Sequence, residues 1–198
     1  MRFILAGIIS YLLGSISFAY IISKRFYGID ITKYGSGNLG ATNVLRVLGG
    51  KAAAVVYAAD FLKGFIAVFL ARHIGGENTA LICALIVIMG HNWSVFLNFR
   101  GGKGIATSMG VGFALAPTIA LLCAFIGMLV IAVSRYVSLG SVLGIVFFPI
   151  MLAIFHYPVK LILWGVCMAV LAVYRHKDNI KRLIRGNERR LGEKVKVK

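Results

Sequence analysis

IATSMGVGFALAPTIALLCAFIGMLVIAV, residues 105–133, is a 29-residue apolar run with Pro117 near its middle. As one helix it would reach about 43 Å at 1.5 Å per residue, more than the roughly 30 Å hydrocarbon core of a bilayer. Split at the proline, its first part, 105–116, would reach only about 18 Å. Proline inside a helix removes an amide donor and clashes with the preceding turn, so a break there is the natural expectation. Whether this run counts as one segment or two fixes the side of the membrane on which every later loop lies.

The rest of the chain makes a membrane the right frame. Mean hydropathy is +0.89, and only 14% of the 198 residues are charged, against about a quarter in ordinary soluble domains. Further apolar stretches run over 3–22, 52–71, 79–97, 138–155 and 160–174. The first is too long for a signal-peptide core and lacks a small-x-small cleavage site, so it reads as a retained span. Charge parity then decides the count. With seven segments, the connections 23–51, 98–104 and 134–137 share a side with the tail, and 18 of the 22 Lys and Arg lie there. Six segments would place the basic tail opposite Lys24–Lys51, against the positive-inside rule.

The expected fold is therefore an all-α membrane protein, a polytopic bundle of seven transmembrane segments in a single membrane domain. The segments are 3–22, 52–71, 79–97, 105–116, 118–133, 138–155 and 160–174, with the N-terminus outside and a basic cytoplasmic tail over 175–198. The tail would suit nucleic acid by composition, but in a multispanning chain it reads as topology and attraction to anionic headgroups. No nucleic-acid partner is expected; the bilayer is. Cys83, Cys123 and Cys167 fall in apolar runs without metal-ligand or CxxC spacing and read as small buried hydrophobes. There is no internal repeat of the kind that builds many transporters.

Any active site must then be built from loops and helix ends, and four polar segments fall on the cytoplasmic side. Asn98-Phe99-Arg100-Gly101-Gly102-Lys103-Gly104 joins two apolar runs with glycine and positive charge. Gly101, Gly102 and Gly104 leave backbone amides unshielded, and successive amides can form a concave nest for an anion. Lys103 adds a cationic partner, while Arg100 is left to topology. Just before it, Gly90-His91-Asn92-Trp93-Ser94 offers His91 as a general base or as a hydrogen-bond partner between helices. A second glycine loop, Gly35-Ser36-Gly37-Asn38-Leu39-Gly40-Ala41-Thr42-Asn43-Val44-Leu45-Arg46, supplies amides, a hydroxyl, side-chain amides and a guanidinium to an anion. It carries no GK[ST] and is not a Walker motif.

The third segment, Arg135-Tyr136-Val137-Ser138-Leu139-Gly140-Ser141, sets Ser138 and Ser141 on one face of a helix, for chemistry or for close packing. In the fourth, Arg175-His176-Lys177-Asp178-Asn179-Ile180-Lys181-Arg182-Leu183-Ile184-Arg185-Gly186-Asn187-Glu188, helical spacing aligns His176, Asn179 and Leu183 on a candidate interfacial helix, with Asp178 on its solvated face. Asp60 and Lys63 lie inside the second span three residues apart. They are expected to pair, since lone charges there cost several kcal/mol, and to support Arg46 or Lys103 from below.

This inventory is rich in bases, hydroxyls and glycine amides and poor in carboxylates. A two-metal phosphotransferase needs acidic ligands, so neither a metal nor another cofactor is expected. HExxH and GxSxG are absent. The H-x4-D pattern of acyl-CoA-dependent glycerolipid acyltransferases is absent too, since no Asp lies five positions after His73, His91, His156 or His176. A transporter for an organic phosphate is the rival reading, but polarity here gathers at one face rather than through the midplane.

GSGNLGATNVLR, GHNWSVFLNFRGGKGIAT, RYVSLGS and HKDNIKRLIRGNE closely resemble, in order, the motifs of the bacterial integral-membrane glycerol-3-phosphate acyltransferases that use acyl-phosphate. Asp60-Phe61-Leu62-Lys63-Gly64 is similar to a D-x-x-K-G pattern of that family. Two departures stand out: Trp93-Ser94 where a proline is common, and Arg100 where lysine is common. The resemblance implies a site facing the cytoplasm from a bacterial inner membrane. It also implies transfer of a fatty acyl group to the 1-hydroxyl of sn-glycerol 3-phosphate, giving lysophosphatidic acid and phosphate at the first step of phospholipid synthesis. The expected catalytic set is Lys103, Arg46, Ser36, Ser141, His176 and Asn179. Gly37, Asn38, Gly40, Thr42, Asn43, His91, Gly101, Gly102, Gly104 and Ser138 are expected to bind substrate, with Asp60 and Lys63 behind them. The substrates are acyl-phosphate and glycerol 3-phosphate, and the enzyme that supplies acyl-phosphate is a candidate partner.

Overall fold

The computed structural model describes residues 1–193 and Val195. Every regular element among them is a helix or a short 3-10 turn, with one isolated antiparallel bridge between Ser94 and Arg100. The chain divides into two compact units, Met1–Ala114 with Gly192–Lys198, and Leu115–Leu191.

The first unit is built on α4, Gly50–Asn92, a 43-residue stretch that contains a non-helical glycine, Gly76, at φ 78° and ψ −172°. Two helices therefore meet at Gly76, within the connection expected between 52–71 and 79–97. Helix α1, Arg2–Ser15, packs along the later part of α4. Their backbones come close because small residues face each other: a Cβ on Gly14 would strike the Val87 carbonyl, and one on Gly90 the Tyr11 carbonyl. Tyr11 Oη donates to Trp93 O at 2.8 Å, and Ser94 Oγ to Ser15 O at 2.6 Å, which ties the two ends together.

The first span differs from the expectation. It is not one helix over 3–22: α1 ends at Ser15, and α2, Phe18–Tyr27, begins after Ser17, whose side chain accepts from the Tyr20 amide. The break leaves the Ile16 carbonyl outside any helix, and Lys63 Nζ donates to it at 2.8 Å. The third expected span also stops early. Helix α4 ends at Asn92 rather than 97, and Val95–Leu97 is a single 3-10 turn. Helix α3, Ala41–Leu48, covers an apolar cluster of Ala19, Ile31, Leu39, Val44, Ala52, Ala53 and Val56, against which Leu97 also packs. Helix α5, Ile105–Leu115, lies on the early half of α4, where Gly64 backs onto the Thr107 carbonyl and Gly110 onto the Phe61 carbonyl.

The second unit holds α6, Pro117–Ser134, α7, Val137–Ile154, α8, Val159–Arg175, and α9, Lys177–Ile184. Pro117 stands at the first position of α6, where its missing amide costs nothing. Gly127 and Gly140 bring α6 and α7 into backbone contact, and Phe148 meets Trp164 edge-on between α7 and α8 at 6.2 Å. The chain bends by 62° between α8 and α9. After α9 it returns to the α6–α7 turn, where Leu191 N donates to Arg135 O at 2.7 Å.

Among the described residues, four helical stretches are long and apolar enough to cross a membrane: Arg2–Tyr27, Gly50–Asn92, Pro117–Ser134 and Val137–Ile154. The bent pair α8–α9 makes a fifth. Cys83 and Cys123 are buried as expected, but Cys167 is exposed on α8. An apolar helix face needs no protein cover where it meets lipid. The expected basic tail is described only in part, and Lys194, Lys196 and Lys198 lie outside the described residues.

Candidate active site

In the first unit the loop before α3 is shaped by its own side chains. Asn43, 2% exposed, accepts from the Ser36 amide at 2.8 Å through Oδ1, and its Nδ2 donates to Tyr34 O at 3.1 Å and Ile31 O at 3.4 Å. Its amide is thus used within the loop, and it holds Ser36 rather than reaching outward. Ser36 itself is exposed, and its Oγ accepts from the Asn38 amide at 3.4 Å. Gly37 needs its glycine: φ is +68°, and a Cβ would stand 2.8 Å from Thr32 O. Gly40 precedes α3 in extended conformation, and Thr42 and Arg46 ride on that helix half-buried. The Arg46 carbonyl accepts from Val195 N at 3.0 Å.

The second glycine loop lies against the first. Asn38 Nδ2 reaches Gly101 O at 3.5 Å, a contact spanning 63 positions of sequence. Gly101 and Gly102 are glycines for a reason the sequence does not display. A Cβ on Gly101 would meet the His91 carbonyl, and one on Gly102 would meet His91 Nε2. The Gly102 amide donates to His91 O at 3.1 Å, so it serves the loop's own attachment and not an open nest. Gly104 adopts φ +81° beside the side chain of Asn92. Lys103, between them, is half-buried.

Under this loop lies a buried polar line. Asp60 Oδ1 is 2.8 Å from Lys63 Nζ and 3.6 Å from His91 Nδ1, and all three residues are at most 6% exposed. Asn92 and Thr107, both wholly buried, have side-chain polar atoms that make no hydrogen bond.

In the second unit two of the expected residues, Ser138 and Asn179, gather on an acid that the sequence reading left out. Glu188, 6% exposed, accepts from Asn179 Nδ2 at 2.6 Å and Ser138 Oγ at 2.9 Å through one oxygen, and from Arg182 Nε at 2.7 Å through the other. Burial alone pushes its carboxyl up, but the hydrogen bonds from Asn179, Arg182 and Ser138 together hold it below the usual carboxylate range. His176 is buried with Nδ1 2.8 Å from Ala172 O. A carbonyl only accepts, so Nδ1 carries the proton. Ser141 is half-buried one turn beyond Ser138 on α7. Asp178 is exposed as expected, and Ile184 is exposed as well.

Glu188 could have been noticed. It is one of two acids, with Asp178, among seven Lys and Arg between Arg175 and Arg190, where an acid is expected to find a partner. Asn92 gave no such signal.

Comparison with known proteins joins these observations. Residues 4–186 match the family described as glycerol-3-phosphate acyltransferase. The glycerol-3-phosphate acyltransferase of Thermoanaerobacter sp. (strain X514) is 50% identical over 198 residues, all of each chain. The crystal structure of PlsY (YgiH), an integral membrane glycerol 3-phosphate acyltransferase, in its glycerol 3-phosphate form is 39% identical with a TM-score of 0.92, covering 97% of this chain and 96% of that one. Its lysophosphatidic acid form gives a TM-score of 0.90 at the same identity, over 98% and 97%.

Proposed function

Since the chain belongs to the glycerol-3-phosphate acyltransferase family, we propose that it moves a fatty acyl group from acyl-phosphate to the 1-hydroxyl of sn-glycerol 3-phosphate. The products are lysophosphatidic acid and inorganic phosphate. The observation that carries this reading is the contact of Asn38 with Gly101, which joins the two glycine loops in one unit with Ser36, Arg46 and Lys103.

Acyl-phosphate is a mixed anhydride, so its carbonyl carbon is already activated. The glycerol oxygen bonds to that carbon, and the carbon–oxygen bond to phosphate breaks. The hydroxyl proton leaves on a phosphate oxygen, so no protein base is required. Lys103 and Arg46 neutralise the phosphates, and Ser36, Asn38, Gly37, Gly40 and Thr42 line the first loop around them. This is catalysis by proximity and charge, matched to a site rich in cations. In the second unit, Glu188 organises Ser138, Asn179 and Arg182. Asn43, Gly101 and Gly102 act through loop shape.

The chain crosses a bacterial inner membrane seven times, with its N-terminus outside and these loops in the cytoplasm. Helices α1–α2, the two halves of α4, α5, α6, α7 and α8 are the seven segments, and the distribution of Lys and Arg supports that order. The acyl-phosphate reaches the site from the bilayer or from the enzyme that makes it.

One assay tests this. Purified protein receives glycerol 3-phosphate and either acyl-phosphate or acyl-CoA, without added metal, and lysophosphatidic acid is measured. Product with acyl-phosphate alone is expected. Product with acyl-CoA alone would overturn the donor, and movement of labelled glycerol 3-phosphate across vesicles without acylation would favour a transporter.

A further inference from the structure

The loop that carries Lys103 packs closely on His91. His91 O accepts the Gly102 amide at 3.1 Å, the Gly101 backbone lies against the same carbonyl, and the Gly102 Cα faces His91 Nε2. The neighbouring Asn92 sits under Gly104, yet neither polar atom of its side chain makes a hydrogen bond. The orientation of the His91 ring therefore bears directly on where Gly102 and Lys103 stand.

The opposite edge of that ring faces Asp60. His91 Nδ1 is 3.6 Å from Asp60 Oδ1, close enough for the carboxylate to orient the ring. Asp60 Oδ1 is also 2.8 Å from Lys63 Nζ, which is anchored in turn on Ile16 O. If the pair served only to cancel two buried charges, it would need no third group. Here the same oxygen faces both the ammonium and the imidazole.

We propose that Asp60 is a positioning residue for glycerol 3-phosphate: it orients His91, which holds the Gly101–Gly104 loop so that Lys103 meets the substrate phosphate. Lys63 neutralises Asp60 and fixes its rotamer. This rests on the reading of the loop as a phosphate site given above. Neither Asp60 nor His91 touches the reacting atoms, so the consequence of removing them is a displaced loop. A displacement of about 1 Å is enough to lower efficiency by about 100-fold in a well-oriented site.

The test separates charge cancellation from positioning. The double variant D60N/K63M removes both buried charges at once, and H91Q removes the ring while keeping a polar side chain. Each is assayed in detergent with glycerol 3-phosphate and acyl-phosphate varied in turn, with thermal unfolding recorded beside the kinetics. Both variants are expected to raise KM for glycerol 3-phosphate at least about tenfold with little change in KM for the acyl donor. The triple variant should be no worse than H91Q, because both changes break one chain of contacts. A wild-type KM for glycerol 3-phosphate in folded D60N/K63M would overturn the proposal. If that variant does not fold, H91Q decides: an unchanged KM overturns it and a selective rise supports it. Failure of the wild-type protein to acylate glycerol 3-phosphate would instead sink the reading of the site.

Discussion

The two polar clusters solve opposite problems. In the first unit, the glycine loops around Ser36 and Lys103 carry Arg46 and Lys103, and the Asp60 carboxylate is buried with Lys63. In the second, a buried acid sits at the centre, and Ser138, Asn179 and Arg182 all turn toward it. A cluster whose loops carry cations is built to receive an anion. One with its charge already bonded inside is built to hold shape. Substitutions should therefore separate into losses of turnover in the first unit and losses of stability in the second.

The largest effect tests the first half of that contrast. Lys103→Ala and Arg46→Ala should each lower turnover by about 100-fold or more without changing the unfolding temperature. Lysophosphatidic acid production near the wild-type rate in either would break the distinction. Next, Glu188→Ala should destabilise the protein by about 2 kcal/mol or more, because three donors lose one acceptor. Thermal unfolding in detergent reads it, and an unchanged unfolding temperature would remove the acid from its structural place.

Acid titration sharpens the same point. The Glu188 carboxyl is held below its ordinary value of 4.5 in the folded protein. A depressed value adds stability that is fully present above the unfolded value and fades as pH falls through the folded one. Wild-type protein should lose stability below pH 4.5 more steeply than Glu188→Gln, whose acid limb should be flatter. Parallel curves would contradict the assignment. Smallest is Ser138→Ala, which should cost about 1 kcal/mol and leave turnover nearly intact if the hydroxyl only serves Glu188. A large loss of turnover at full stability would move Ser138 from scaffold to substrate.

What could be read in advance follows the strength of local signals. Pro117 separates α5 from α6 by taking the first position of the second helix, whereas Pro149 lies inside α7 without ending it. Gly75-Gly76 marks the turn inside α4, since only glycine takes φ 78° with ease. The motif loops were legible as residue types, and the contact of Asn38 with Gly101 puts two of them side by side. The break between α1 and α2 was hidden because hydropathy is continuous through Ser15-Ile16-Ser17, and hydropathy does not register a serine cap. The attachment of Gly102 to His91 was hidden for a different reason. A glycine required by a neighbouring ring and a glycine required by a ligand look alike in a sequence.

The break at Ile16 has a consequence for how this protein can vary. A continuous helix would return the Ile16 carbonyl to its own ladder and leave the buried Lys63 ammonium with Asp60 but without its carbonyl acceptor. Straightening the first helix therefore costs any descendant that keeps the lysine a buried hydrogen bond, and losing the lysine leaves an orphaned carbonyl at the break. Two places 47 positions apart are in effect one inherited trait, and a chimaera that takes its first helix from a straight-helixed donor should lose stability unless residue 63 is exchanged with it.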